Sequence, residues 1–320
     1  MYLGIEIGGT KLQLGVGPGD GALRALWRGT VDAARGADGI REQIVGAVPE
    51  LLARAELTRG DLQGVGIGFG GPVDDRTKTV IKSHQIAGWD GFPLADWISD
   101  AVGLPAALGN DADCAGLAEA LFGAGKGLSP IFYITIGSGI GGGLIVNGEI
   151  YRGCGRGAAE IGHLRMTYRT DDTQQSAILE KYASGWAIAE RAYHGGPGRK
   201  GSGSPLLQRI EGKRQRWTTK DIADAAAAGD SFARSILENT WEHLAEGICQ
   251  MLALLAPRRI VIGGGVSLMG EELLFAPLRK LVAERVFAPF RDCYDIVPAA
   301  LGEEVVVHGA LALAKRRLAQ

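Results

Sequence analysis

The stretch that decides the fold is Leu3 to Val16, LGIEIGGTKLQLGV, together with its echo at Ile134 to Val146, ITIGSGIGGGLIV. Each reads as a strand, a tight glycine turn and a second strand. Ile5 and Ile7 alternate with Glu6 before the first turn, and Leu12 and Leu14 alternate after it. Alternation around a Gly-Gly centre is a hairpin signal. Glycine permits positive φ and lets a ligand approach bare backbone N–H groups. Such groups attract anions, phosphates above all. Two of these loops imply two related half-structures, each offering a phosphate-binding hairpin to a shared cleft.

Outside these hairpins the chain alternates strand and helix signals. A helix is expected from Gly39 to Leu57, with Pro49 as an internal breaker. Strands are expected at Val65–Phe69, 78–82 and 104–108, and a helix at Pro93–Val102 with proline at its start. Asn110-Asp111-Ala112-Asp113 opens a helix to about Phe122. Beyond the second hairpin, Tyr151 to Gly162 reads as irregular, Ala177 to Ala192 as helical, and His194 to Trp217 as a solvated basic insertion. Thr218 and Asp230 cap two further helices, Arg259–Ile262 and Tyr294–Val297 are strands, and His308–Leu318 closes the chain as a helix. This order implies an α/β architecture.

Composition excludes several classes. A chain of 320 residues suits about two domains. Net charge is −2, which gives no electrostatic case for nucleic acid as a general partner. No apolar run reaches the ~18 residues of a membrane span. No secretory leader is recognised, so a cytoplasmic protein is expected. The four cysteines, Cys114, Cys154, Cys249 and Cys293, form no C-x-x-C pair, in keeping with free thiols in a reducing compartment. The anomaly is the 50 glycines, which cluster at turns between strands and imply many close backbone approaches.

Two tempting motifs fail. Gly66-x-Gly68-x-x-Gly71 and Gly137-x-Gly139-x-x-Gly142 fit a dinucleotide fingerprint, but that fingerprint needs a helix straight after the glycines. Pro72-Val73-Asp74 follows the first and Leu144-Ile145-Val146 the second. Gly125-Lys126 resembles a P-loop end, but Gly127 stands where Ser or Thr is needed and Ala120 where the first glycine belongs.

The surviving pieces, in order, are GIEIGGTK, GIGFGGPVD, AGWDGFPL, NDAD, TIGSGIGGG, GAAEIGHL, LEKYASG and IVIGGGV. In this set the chain resembles the ROK family of sugar kinases, within the actin/hexokinase/Hsp70-like superfamily. The resemblance covers nearly the whole chain. It implies a two-domain, actin-like or ribonuclease H-like α/β fold with an interdomain cleft. The first domain is expected over 1–112 plus 302–320, and the second over 113–301. It implies ATP- and Mg²⁺-dependent phosphorylation of a hexose-type sugar, glucokinase-like, by a homodimer.

The resemblance also assigns residues. Asp111 takes the place of the base that accepts the sugar hydroxyl proton; read alone, it is a helix cap. Asn110, Glu160, His163 and Glu180 take the places of sugar ligands, with Gly70 or Gly71 offering backbone. Read alone, Glu160 and His163 share a face of a helical turn, and Trp89 is core. Gly8, Gly9, Thr10 and Lys11 in the first loop, and Gly137, Ser138 and Gly139 in the second, are expected at the phosphates. Gly264 and Gly265 are expected under the adenosine, unless they serve tight packing.

Three departures from the family pattern stand out. The three cysteines that complete a structural zinc site with the His163 imidazole are absent before Leu179, so no zinc is expected, and hydrogen bonds from Thr170 to Gln175 are expected in its stead. Glu6 replaces the usual aspartate near the metal. Gln85 replaces an asparagine that touches sugar, which leaves the sugar and the hydroxyl open: fructose, mannose or N-acetylmannosamine share this framework with glucose. Asp113 also replaces a common asparagine. A sugar-responsive regulator would need a DNA-binding segment before the first hairpin, and a sugar-binding protein without catalysis or a polyphosphate-using kinase are the other rivals.

Overall fold

The computed structural model describes residues 1–83, 85–169, 174–195 and 217–319. The interior of the expected basic insertion, 196–216, and the expected hydrogen-bonding stretch at 170–173 lie outside them. In chain order the elements are β1 (Tyr2–Ile7), β2 (Lys11–Gly17), β3 (Ala25–Thr30), α1 (Gly36–Arg54), β4 (Val65–Phe69), β5 (Val73–Asp74), β6 (Thr79–Val80), α2 (Leu94–Val102), β7 (Ala106–Asn110) and α3 (Asp111–Leu121). Then follow β8 (Ile131–Ile136), β9 (Ile140–Val146), β10 (Glu149–Ile150), β11 (Arg165–Arg169), β12 (Gln174–Ile178), α4 (Glu180–Ala183) and α5 (Gly185–Gly195). The chain ends with α6 (Thr219–Ala227), α7 (Ser231–Leu255), β13 (Arg259–Gly263), α8 (Ala276–Arg285), β14 (Asp295–Pro298) and α9 (Val305–Leu318).

One five-stranded sheet has the order β3-β2-β1-β4-β7, and a second has the order β10-β9-β8-β13-β14. In the first, β1, β2 and β3 pair antiparallel, while β4 and β7 add in parallel. Backbone contacts divide the chain into unit 1 (Met1–Tyr133, Gly143–Ala159, Ala300–Gln320) and unit 2 (Ile134–Gly142, Glu160–Ala299).

In unit 1 the two faces of the first sheet are built differently. Leu3, Ile5 and Ile7 of β1 and Val65, Ile67 and Phe69 of β4 point to one face and are at most 2% exposed. There they join Ile40, Ile44 and Leu51 of α1 and Leu94 and Ile98 of α2 in one core. Each such aliphatic side chain contributes roughly 1.5–3 kcal/mol when fully buried. The other face is paved with glycine. Gly15, Gly4 and Gly66 sit in register across three strands, and Gly68 lies beside Gly109. Helix α9 lies against this bare backbone. A Cβ added to Gly66 would fall 1.8 Å from the carbonyl oxygen of Ala310, and one on Gly4 2.9 Å from that of Val307. Gly309 of α9 makes the same close approach to α3, with 1.8 Å to the Cys114 carbonyl. The many glycines expected at turns are therefore also sheet residues.

Helix α3 stays with unit 1 rather than opening a new unit after residue 112, the boundary expected from sequence. Buried Glu119 explains the tie: its Oε1 accepts from the backbone N–H groups of Ala300 and Leu301, each at 2.9 Å. Gly116 lets α3 press on Tyr133.

In unit 2 the long helix α7 is capped by Asp230, whose Oδ1 accepts from the Ala233 amide. Its Trp241 is buried and donates to the Leu273 carbonyl at 2.7 Å. The single helix expected from Ala177 to Ala192 is not formed. Residues to Ile178 belong to β12, which pairs with β11, and the helix is broken at Ser184. The Ser184 hydroxyl accepts from the Ala187 amide and so starts α5 afresh.

Gly66→Ala should lower stability by about 1–3 kcal/mol, because the obstacle is a helix carbonyl that cannot rotate away. Chemical denaturation would measure it, and an unchanged midpoint would contradict the glycine-face account.

Candidate active site

In unit 1 the predicted residues gather at the ends of β1, β4 and β7. The β1–β2 turn is closed by the Gly8 amide donating to the Lys11 carbonyl at 3.0 Å. Gln85 lies over this turn: a Cβ on Gly9 would meet its Oε1 at 1.5 Å. Gly8, Gly9, Gly70, Ser83 and Gln85 line one narrow cleft. Gln85, expected at the sugar, is thus placed against the first glycine loop.

Helix α3 starts at this corner. Asn110 is its N-cap: Oδ1 accepts from the Ala112 and Asp113 amides, and Nδ2 donates to the Gly71 carbonyl at 2.9 Å. The Gly71 amide donates to the Phe69 carbonyl, so both backbone groups of Gly71 are engaged. Asp111 is the first helical residue, and its Oδ1 accepts from the Ala112 amide at 2.8 Å. A Cβ on Gly70 would stand 3.6 Å from Asp111 Oδ2, so the missing side chain leaves that oxygen space.

Glu6 occupies the glycine-paved face, between Gln13 and Gly68 in register, and is 5% exposed. Burial pushes its carboxyl up to about 7, opposed by the Lys11 ammonium 3.1 Å away and reinforced by the Asp111 charge. Lys11 also donates to the Glu303 carbonyl at 3.2 Å. Glu6 Oε2 is buried without a hydrogen-bond partner. An orphaned hard oxygen near a second carboxylate suits Mg²⁺, which takes one or two carboxylates and completes its shell with water and substrate phosphate. Among the described residues no group of three or more His, Cys, Asp or Glu side chains could hold a metal.

Unit 2 carries the remaining predicted residues. Glu160 and His163 bracket one 3-10 turn, Ile161–His163, closed by the His163 amide donating to the Glu160 carbonyl at 3.0 Å. Residues three apart in such a turn eclipse each other, and both are exposed. The turn packs on β9: a Cβ on Gly162 would stand 2.2 Å from the Ile140 carbonyl oxygen. Glu180 accepts from the Ile140 amide at 2.9 Å and lies against Gly139. The second glycine loop is also pinned by α5, whose Gly185 amide donates to the Gly137 carbonyl at 2.8 Å. Ser138 is exposed at the tip. Gly264 has φ +83°, and a Cβ there would meet Ile136 backbone at 2.6 Å, whereas Gly265 opens onto space. Packing alone thus requires glycine at 264 but not at 265. Trp89 is core, edge-on to Phe69 and Phe92.

Sequence reasoning missed Arg152. Its guanidinium donates to Asp75 at 2.7 Å, to the Val73 carbonyl at 3.2 Å and to Asp113 in the first turn of α3. The signal was Asp113 itself, because a carboxylate on a buried helix face needs a cation.

A family profile, that of the ROK family, matches residues 2–317. The chain is 31% identical over 319 residues to a glucokinase of Halalkalibacterium halodurans, covering 99% of this chain and 95% of that protein. It is 30% identical over 326 residues to a glucokinase of Thermotoga maritima, covering 99% and 98%. Among solved structures, a ROK family glucokinase from Streptomyces griseus in complex with glucose and AMPPNP superposes with a TM-score of 0.79 at 32% identity, covering 98% and 99%. The chain belongs to the ROK family, with the two-domain fold of its sugar kinases. It is an ATP-dependent sugar kinase.

Two outcomes are expected. A carboxyl with a raised folded pKa binds its proton more tightly in the native state, so stability falls as pH rises from about 4.5 through about 7. Glu6→Gln should flatten that fall, by roughly 3 kcal/mol at most, and melting curves at pH 5 and pH 8 would show it; equal slopes for both proteins would contradict it. Gly264→Ala should destabilise by about 1–3 kcal/mol, while Gly265→Ala should stay within about 0.5 kcal/mol of the parent. If Gly265→Ala nevertheless raises the KM for ATP, the nucleotide approaches its Cα; an unchanged KM removes Gly265 from the nucleotide site.

Proposed function

We propose that this kinase transfers the γ-phosphoryl group of ATP to a hexose, glucose foremost, with Asp111 as general base. The observation that carries the reading is the division of labour at the start of α3. Asn110 already caps the helix, so Asp111 is not needed as the cap, and its Oδ2 lies near Gly70. The glucokinases to which the chain is similar over almost its whole length favour glucose as acceptor.

In the proposed step an Asp111 oxygen accepts the proton of the attacking sugar hydroxyl while that oxygen bonds to the γ-phosphorus and ADP leaves. Positioned bases contribute about 10²–10⁴-fold; the remainder of phosphoryl transfer is alignment and charge neutralisation. Glu160 and His163, eclipsed on their turn, hold sugar hydroxyls, and Glu180 holds the loop that carries Ser138 and Gly139 toward the donor. Lys11 and the amides of Gly9 and Thr10 face phosphate oxygens. Glu6 would hold Mg²⁺, which would supply charge neutralisation at the phosphates. Gln85, lying over the first glycine loop, touches the donor side as well as the sugar. Exposed free thiols at Cys154 and Cys293 suit a reducing cytoplasm, and a homodimer is the proposed assembly.

Asp111→Asn should retain glucose affinity within a few-fold by calorimetry and lose kcat by about 100-fold or more. A coupled ATP-consumption assay over a panel of hexoses tests both parts. Near-parental turnover in the variant would reject the base, and turnover with another sugar alone would reject glucose.

A further inference from the structure

We propose that Arg152 is a positioning residue for the base, and that its ion pair with Asp113 offsets that carboxylate's charge at the start of α3 while holding the helix start to the segment after β4. The inference rests on the reading of Asp111 as base. Two ties flank Asp111 in the chain. On one side the Asn110 side chain joins the helix start to the Gly71 carbonyl. On the other, Asp113 joins it through Arg152 to the Val73 carbonyl and to Asp75. Both ties therefore lead from the first turn of α3 to residues 71–75, the segment that follows Gly70. Asp111 lies in sequence between the two ties.

The pair is buried. Side-chain exposure is 10% for Arg152 and 3% for Asp113. Removing one partner of such a pair strands the other charge in a poorly solvated site, which is costly, whereas replacing both by neutral groups can be nearly harmless. A neutral side chain at position 113 would need no cation. The aspartate and the arginine thus act as a unit. The arginine is suited to the task because its planar guanidinium presents donors in a fixed, spread fork, whereas lysine offers a compact point charge.

The geometry sets signs that a merely structural role does not. Without Arg152, the Asp113 charge stands two residues from Asp111 and favours its protonated form. Without the Asp113 charge, Arg152 favours the ionised form. The other groups around this corner are Glu6 on β1, Lys11 on β2, Glu303 before α9, Cys114 on α3 and Asp75. Glu6, Lys11, Glu303 and Cys114 are the same in every variant and cancel from the comparison; Asp75 loses its Arg152 partner in R152M and R152M/D113N alike, so these two are compared with each other.

The test is a double-mutant cycle on the full-length enzyme, with ATP, Mg²⁺ and the best hexose. R152M should lower kcat by about tenfold or more, leave the sugar KM within about threefold, and move the acidic limb of the kcat/KM profile to higher pH. D113N should move that limb to lower pH. R152M/D113N should recover most of kcat and return the limb to its parental position, and R152K should recover less than the double variant. Limbs that move the same way in both single variants, or a double variant no better than R152M, overturn the proposal. If R152M does not fold by circular dichroism, D113N, R152K and the double variant decide it by the same limbs. D111N, measured alongside, separates the two readings. Turnover in D111N removes the base and its positioning residue together, while an inactive D111N with an unshifted cycle removes Arg152 alone.

Discussion

The structure of unit 1 depends on how closely a helix can approach a sheet. On the face formed by Gly15, Gly4, Gly66, Gly68 and Gly109, α9 touches backbone rather than side chains. Dispersion gain rises as the gap closes, and a void of even an ångström forfeits much of it. The arrangement costs strand propensity and conformational entropy, since glycine is poor in strands. It is offset by the opposite face, where Leu3, Ile5, Ile7, Val65, Ile67 and Phe69 are fully buried. The same close packing brings α3 against α9 through Gly309. The position of α3, and with it that of Asp111, is thus fixed by backbone-to-backbone contact.

That constraint also explains what was legible. The hairpins at 3–16 and 134–146, the cap at Asn110 and the caps at Thr218 and Asp230 were readable because each is local: a turn residue, an alternation, a side chain bonding two or three residues on. The glycine face was not, because a strand glycine and a turn glycine look alike until register places Gly4 beside Gly15 and Gly66. The break at Ser184 was hidden for a similar reason. Ala177 to Ala192 has good helix formers on both sides of Ser184-Gly185, and the pairing of β12 with β11 withdraws its start into a hairpin. The eight motif segments gave the family and the candidate residues, but not their partners. Glu180 bonding the Ile140 amide, and Arg152 bonding Asp113, join positions far apart in sequence, and no local rule links them.

In unit 2 the partners explain why the motifs occur together. Ile140 is a junction: its carbonyl is crowded by Gly162 of the Glu160–His163 turn, and its amide is bound by Glu180. The turn assigned to the sugar and the loop assigned to the donor therefore meet at one residue. Glycine at 162 and glutamate at 180 are required by this packing before any ligand is considered. A carboxylate already committed to a loop amide still has lone pairs for a sugar hydroxyl, so the structural and substrate roles of Glu180 are compatible.

The burial of Glu6 follows from the same face. In register its neighbours are Gln13 and Gly68. A Cβ on Gly68 would fall 2.4 Å from Val306 of α9, so the helix closes on the sheet next to Glu6. One oxygen of the acid meets Lys11, which is itself anchored on the Glu303 carbonyl just before α9. The other remains without a partner in a buried setting. A carboxylate so placed is unfavourable alone and favourable beside a divalent cation, because the cation's charge reverses the balance that burial imposes. The acid therefore works against stability in the empty protein, and the proposed Mg²⁺ would reverse that balance. The glycine face, by drawing α9 close, is what buries Glu6.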